Sequence, residues 1–286
     1  MQLGIIGCGN MGGGMVAHLI ARGIGVTCFD PNAENSQKMA NLGANLAESG
    51  ADLADCCDVI LLSLPKAAVV DAVMREMLEH IKAGTIVLDT STSEPGTSQA
   101  MSALGAEYGF AFLDGPVSGG PVAARAGTMT MLLGGDLDAI ARLRPILDVL
   151  TAKTVTVGGS GAGHAAKIAN NLLCAANLVL VAEAVRMGQA AGVRPEDLLE
   201  GINAGSGRSG VSEVNFPKWV LNEAFDSGFT MGLMRKDVKL ALDLANRSGV
   251  KLDGFEPIAD IWLNRSTNVP DADDFNAIVN HTQSED

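Results

Sequence analysis

One lysine, Lys167, stands in an otherwise apolar stretch with two amides close behind it: Gly161-Ala162-Gly163-His164-Ala165-Ala166-Lys167-Ile168-Ala169-Asn170-Asn171. Helical spacing puts Asn170 at i+3 and Asn171 at i+4, so both flank the lysine. Polar groups of this kind are expensive to bury without a purpose. A partly buried lysine has its pKa lowered, which suits proton transfer near neutrality. An interdomain helix with one solvated side explains the same residues, and the physics of the residues alone leaves the two readings even. A second stretch, Asp114-Gly115-Pro116-Val117-Ser118-Gly119-Gly120, follows a β-rich run. Its serine and glycines offer a hydroxyl and unobstructed N–H donors to an anion, although a plain turn has the same composition. A third, Met234-Arg235-Lys236-Asp237-Val238-Lys239, reads first as the charged start of an amphipathic helix.

Near the N-terminus, Gly7-Cys8-Gly9-Asn10-Met11-Gly12 fits G-x-G-x-x-G. In a chain with 34 glycines that hexapeptide alone is weak, but its setting adds weight. It follows an apolar strand and opens an amphipathic helix over 11–22, where backbone N–H groups can approach a pyrophosphate. The next strand ends on Asp30, whose carboxylate can accept hydrogen bonds from both ribose hydroxyls and would repel a 2′-phosphate. Asp30-Pro31-Asn32 is also good turn chemistry, and both roles can hold at once. Leu64-Pro65 and Ser91-Thr92 follow later strands at the edge where dinucleotides lie in doubly wound sheets.

The elements that must position these residues divide the chain. Strands are expected over 3–6, 25–30, 59–64, 85–89 and 111–114, with helix-length segments between them, as in parallel α/β domains. Two further β-like runs, 129–133 and 154–157, flank a helix over 136–150. Past the glycine-rich joint 158–161 the pattern turns helical: 164–191, 194–202, 216–222, 233–248 and 256–265. The tail after Asp271 is acidic and reads as peripheral. The expectation is a Rossmann-type α/β domain with a parallel sheet over 1–160 and an all-α domain over 161–286, joined by a long helix.

Composition narrows the function. The formal net charge is −13 and no Lys/Arg block occurs, which argues against nucleic acid and anionic membrane as partners. The longest apolar run, 168–182, reads as too short to span a bilayer and carries Asn170, Asn171 and Asn177. Five cysteines without a C-x-x-C pair argue against a disulfide framework or structural zinc and fit a reducing cytosol. His18, His80, His164 and His281 are scattered, so no metal site is suggested. His164 lies one turn before Lys167 and reads first as a polar helix-start residue.

Taken in order, the four segments resemble the motifs of the β-hydroxyacid dehydrogenases. Gly7, Gly9, Met11, Gly12 and Met15 meet G-x-G-x-M-G-x-x-M; 114–120 meets D-x-P-V-S-G-G; 161–171 meets G-x-G-x-x-x-K-x-x-N-N; Lys236, Asp237 and Ala241 meet K-D-x-x-x-A. The resemblance spans nearly the whole chain. It implies a nicotinamide-dependent oxidoreductase acting on a small β-hydroxy acid or its semialdehyde. Lys167 would be the general acid/base, and Asn171 would orient the substrate with Asn170 beside it. Ser118, Gly119 and Gly120 would hold the substrate carboxylate. Gly7, Gly9, Asn10, Met11, Gly12, Asp30, Leu64, Pro65 and Thr92 would contact the dinucleotide, and Lys236 would close over its nicotinamide side. NAD is expected in preference to NADP, because Asp30 is followed by no basic residue in Pro31-Asn32-Ala33. The family implies a homodimer or homotetramer. Arg208, in the glycine-flanked loop 206–210, resembles the region of members that take 2-(hydroxymethyl)glutarate, and could grip a second anionic group or simply be a solvated loop residue. A semialdehyde or glyoxylate reductase working mainly in reverse, and a dinucleotide-binding protein without turnover, stand as alternatives.

Overall fold

The structure is a computed structural model, and residues 1–281 are described. β1 (Leu3–Ile6) leads into α1 (Asn10–Ala21), β2 (Val26–Phe29) into α2 (Ala33–Leu42), and the two-residue β3 (Asn45–Leu46) into α3 (Gly50–Cys56). β4 (Val59–Leu62), α4 (Ala67–Met77), β5 (Ile86–Asp89), α5 (Pro95–Tyr108) and β6 (Ala111–Asp114) continue the alternation. β7 (Val117–Ser118), α6 (Gly120–Ala126), β8 (Met129–Gly134), α7 (Leu137–Leu150) and β9 (Thr151–Gly158) complete it. The rest is helical: α8 (Ala162–Ala190), α9 (Pro195–Ala204), a π-helical segment Val211–Val220, α10 (Met231–Arg247), and α11 (Glu256–Asp260) running on into a second π segment, Ile261–Arg265. Packing divides the chain inside α8, into one unit ending at Lys167 and another beginning at Ile168.

In the first unit the sheet runs β3-β2-β1-β4-β5-β6-β8-β7, with β9 also paired to β8. β1 to β6 are parallel, with Leu3 opposite Val26 on one side and Val59 on the other. β8 lies antiparallel to β6 and β7, so the sheet is mostly parallel, as a Rossmann-type domain was expected to be. Because β1, β4 and β5 are buried on both faces, they read as near-continuous apolar runs, with β5 closing on Asp89. Alternate residues serve opposite cores: Leu61 and Leu88 face the side of α1 and α7, while Ile60, Leu62 and Val87 face that of α3, α4 and α5. The chain leaves β1 toward β2 and β3, then returns to place β4 on the other flank of β1. Strand order therefore reverses at β1/β4, and the crevice outside the strand C-termini is where such sheets bind ligands.

The helical unit is organised on α8, a 29-residue helix. The expected helix over 164–191 is matched within two residues at each end, and by length and composition alone it could cross a membrane, which the reading of its run 168–182 as too short did not allow. Its Ala175, Leu178, Val179, Ala182 and Val185 belong to the unit's own core. Trp262 is fully buried and donates its indole N–H to the Ala175 carbonyl at 3.2 Å. The tail is not peripheral as far as it is described. Thr230 and Asp274 form an antiparallel bridge, and Phe275, Ala277, Ile278 and Val279 are buried, with Phe275 edge-on to Phe229 at 5.2 Å. Asp271 and Asp273 are exposed, while Asp274 is half-buried and accepts from Ser227 Oγ; the part of that expectation falling on 282–286 lies outside the described residues.

Arg235 shows how this end is held. Its Nε donates to the Trp262 carbonyl at 2.9 Å. Its Nη2 donates to the carbonyls of Ser266 (2.7 Å) and Val269 (3.0 Å), and Nη1 pairs with Asp271. These carbonyls lie at and beyond the end of a helix, where backbone acceptors lack intrahelical partners. Arg235→Ala strips several charge-assisted bonds and removes the donor to the Val269 carbonyl, whereas the Trp262 and Ser266 carbonyls keep Ser266 Oγ–H and Val269 N–H. The substitution should cost about 3 kcal/mol. Urea denaturation followed by circular dichroism would check this; a midpoint equal to wild type would show that the arginine is dispensable.

Candidate active site

The glycine loop joins β1 to α1, and its three motif glycines are required for different reasons. Gly7 has φ +90°, and a Cβ there would sit 2.3 Å from the Ser63 carbonyl oxygen. A Cβ on Gly12 would fall 1.8 Å from the Gly7 carbonyl oxygen. Gly9 is different: its backbone suits any residue (φ −67°, ψ −158°), and a Cβ there meets nothing within 4 Å. The fold demands Gly7 and Gly12, whereas the bare backbone at Gly9 leaves room for something the protein does not supply. That is the pattern a pyrophosphate cradle requires.

Asp30 ends β2 and is tied into the same loop. Its Oδ2 accepts from Cys8 N–H (2.7 Å) and Asn35 Nδ2 (3.2 Å), and its Oδ1 from Asn32 N–H (2.8 Å). A carboxylate has about four acceptor sites, so roughly one remains, on Oδ1. Gripping both ribose hydroxyls, as expected from sequence, would need Asn35 to give way. Leu64, Pro65 and Thr92 sit beyond β4 and β5 on this same edge, with Leu64 N–H donating to Ser91 Oγ at 2.9 Å. Asn10 is exposed at the loop, and Met11 packs half-buried against the core.

The first unit also brings Lys167 and Ser118 together. Lys167 is buried at 7% exposure, and its Nζ donates to Ser118 Oγ at 2.8 Å. Asp114, fully buried at the end of β6, accepts from Gly161 N–H at 2.7 Å and His164 N–H at 2.9 Å. A carboxylate on the free N–H groups of a helix start is favourable. Here it fixes the turn of α8 that carries Lys167. A Cβ on Gly163 would meet the Leu132 carbonyl oxygen at 2.4 Å, so the second glycine of this motif lets the helix approach β8. Ser118 lies on β7 opposite Thr130, and Gly119 (φ +118°) and Gly120 (φ +66°) turn the chain away from it.

In the second unit, Asn171 is buried and donates from Nδ2 to Asp237 Oδ2 at 2.5 Å while accepting from Asn170 Nδ2 at 3.1 Å. Asp237 is 1% exposed, and its Oδ1 lies 3.5 Å from the Lys236 ammonium. Asn170 is exposed rather than buried beside the lysine. Arg208 stands outside this cluster: its side chain is 64% exposed and its Nε lies 3.7 Å from Glu213 Oε1.

Sequence reasoning did not assign roles to Asp114, Asp237, His164 and Asp89. Asp89, fully buried at the end of β5, accepts from Ser91 N–H at 3.0 Å. Burial pushes its carboxyl upward from the ordinary value. Two apolar strands that each end on aspartate were the available signal, since a carboxylate at a buried strand end needs donors.

A doubly wound sheet with this loop at its switch point defines the class of dinucleotide-dependent dehydrogenases. A family model described as the NAD-binding domain of 6-phosphogluconate dehydrogenase matches residues 2–159. A second, described as NAD-binding of NADP-dependent 3-hydroxyisobutyrate dehydrogenase, matches 161–282. The chain is 36% identical over 255 residues to 2-(hydroxymethyl)glutarate dehydrogenase of Eubacterium barkeri, covering 88% of this chain and 85% of that one. It is 35% identical to NAD-dependent L-serine dehydrogenase of Pseudomonas aeruginosa, covering 86% of each. It superposes on the Mycobacterium tuberculosis 3-hydroxyisobutyrate dehydrogenase solved with L-serine, with TM-score 0.91, 30% identity and 100% of both chains covered. The chain belongs to the β-hydroxyacid dehydrogenase family. It is accordingly a nicotinamide-dependent dehydrogenase acting on CH–OH groups.

The two kinds of glycine can be separated by experiment. Gly12→Ala should lower the denaturation midpoint, because its Cβ has no space in the protein itself. Gly9→Ala should leave the midpoint unchanged and raise the Kd for dinucleotide by about 10-fold or more, if backbone approach matters as in other such loops. Calorimetric titration with the dinucleotide reads this directly, and wild-type affinity in Gly9→Ala would remove the loop from the cofactor site.

Proposed function

We propose that the chain oxidises a small β-hydroxy carboxylate with NAD, using Lys167 as the general base and, in the reverse direction, the general acid. The observation that carries this reading is the buried Lys167 ammonium within 2.8 Å of Ser118 Oγ, on a helix pinned at its start by Asp114. When bound, the nicotinamide supplies the hydride acceptor. In oxidation, neutral Lys167 takes the hydroxyl proton as the carbinol C–H is lost. In reduction, its ammonium form protonates the developing alkoxide. Ser118 Oγ and the main-chain N–H groups of Gly119 and Gly120 would offer donors to the substrate carboxylate. Asn171 follows Lys167 by one turn of the same helix, and its anchoring by Asp237 fixes which way its amide points.

The substrates named for the three relatives share a 3-hydroxypropanoate core and differ at C2, which bears a methyl, an ammonium or a carboxyethyl group. That supports a 2-substituted 3-hydroxypropanoate as the substrate class. A grip on a second carboxylate by Arg208 would first have to break its pairing with Glu213. Five free thiols, with no disulfide among the described residues, fit a reducing compartment.

Lys167→Ala should lower kcat by about 10²–10⁴-fold while dinucleotide affinity stays near wild type. Stopped-flow and steady-state absorbance at the reduced-nicotinamide band, with a panel of 3-hydroxypropanoates, give both quantities. More than a tenth of wild-type kcat in the variant would mean that another group carries the proton.

NAD should be preferred to NADP. Asp30 keeps one acceptor site that a ribose hydroxyl could use, and Lys38, on the neighbouring helix, is already paired with Glu34 at 2.8 Å. A 2′-phosphate beside an ionised carboxylate is repelled at short range. The kcat/KM ratio for the two dinucleotides measures this, and parity or an NADP preference would overturn it.

A further inference from the structure

His164 is completely buried in the first turn of α8, and the proton transfer described above does not use it. Its ring reaches two segments outside its own helix. Nε2 lies 3.0 Å from the Ser91 carbonyl oxygen, and Nδ1 lies 2.7 Å from Ser98 Oγ. A carbonyl can only accept, so Nε2 carries the hydrogen; in the neutral ring the Ser98 hydroxyl donates to Nδ1, and both ring nitrogens are satisfied. Ser91 passes the constraint on, because its Oγ accepts from Leu64 N–H at 2.9 Å and its own N–H donates to Asp89 Oδ1 at 3.0 Å. One imidazole thus ties the helix that carries Lys167 to the turns that follow β4 and β5.

We propose that His164 is a positioning residue whose neutral imidazole, bridging α8 to Ser91 and Ser98, holds the turns after β4 and β5 in place for the nicotinamide half of the cofactor. This rests on the reading of Leu64, Pro65 and Thr92 as cofactor contacts. The bridge needs one donor and one acceptor, held apart on a flat, rigid group. A glutamine amide supplies both from a side chain of similar reach. Asparagine is one methylene too short to serve both partners, and leucine has the bulk but neither function. The remaining charged groups around the ring are Asp89, whose Oδ2 lies 3.8 Å from Nε2, Asp114 on the His164 main-chain N–H, and Lys167 one turn further along. If the ring acted instead as a cation paired with Asp89, glutamine would fail as badly as leucine.

The experiment compares wild type with His164→Gln, His164→Asn and His164→Leu. It measures NAD Kd by calorimetry, KM for NAD and for the hydroxy acid separately, kcat, and the urea midpoint. Glutamine should stay within about 3-fold of wild type, while asparagine and leucine should raise Kd and KM for NAD about 10-fold, the scale of one or two lost hydrogen bonds. KM for the hydroxy acid should change little, a split that general loosening of the fold would not give. Wild-type NAD affinity in the asparagine variant, or a glutamine variant as impaired as leucine, would overturn the proposal. Should leucine fail to fold, the Asn–Gln comparison decides. Thr92→Val in the same titration separates the underlying reading: unchanged NAD affinity there sinks the placement of the nicotinamide and the purpose of the bridge with it. Weakened affinity in Thr92→Val beside wild-type affinity in His164→Asn sinks the bridge alone.

Discussion

The carboxylate of Asp114 is the constraint on which the candidate site depends. It is fully buried, yet it ends a strand in a position where two main-chain N–H groups at the start of α8 can reach it. Without those donors a buried carboxylate would be strongly unfavourable, and without the carboxylate the helix start would leave donors unpaired. Each solves the other's problem, and the result locks a helix turn against a sheet edge. Gly161, Gly163 and Gly134 all serve that contact: Gly161 has φ +87°, and a Cβ on Gly163 or Gly134 would come within 2.8 Å of Asp114 oxygens. The lysine three residues after His164 inherits its place from this contact.

Two neighbouring cations in α10 show that equal charge does not mean equal role. Arg235 spreads its planar fork over the carbonyls at the end of a π-helical segment and is occupied by them. Lys236, the next residue, is a third exposed and lies beside the buried Asp237 that holds Asn171. The fork geometry of arginine suits several fixed acceptors, whereas a lysine ammonium acts as a compact point charge. Asp237 then links the α10 motif to the amide motif on α8, giving a physical reason for both to occur in one chain.

Much of the α/β half was legible in the sequence because buried parallel strands are apolar on both faces and short. Leu3–Ile6 and Ala111–Asp114 were bounded to the residue for that reason. β3 was not found, since its two residues, Asn45 and Leu46, are exposed at the sheet edge and carry no burial signal. β7 was read as a turn because it, too, has only two residues. The π-helical segments were located only roughly, as no side-chain period distinguishes them from α-helix over one or two turns. The buried tail was misjudged because Asp271, Asp273 and Asp274 dominate its composition while its apolar residues pack inward. At the site, residue types named Lys167 and Ser118 as candidates, but the bonds that fix them and their neighbours join residues 47 to 66 positions apart in sequence, and only folding reveals such pairs.

The unequal glycines of the nucleotide loop bear on how this chain would change under relaxed selection. Gly7 and Gly12 are constrained by the protein's own backbone, so a lineage that kept the fold but abandoned catalysis would still retain them. Gly9 has no such internal constraint, and drift there would be neutral once nothing had to approach it. Among descendants of such a sequence, side chains appearing at position 9 with 7 and 12 intact would mark the copies that have lost their chemistry while keeping their shape.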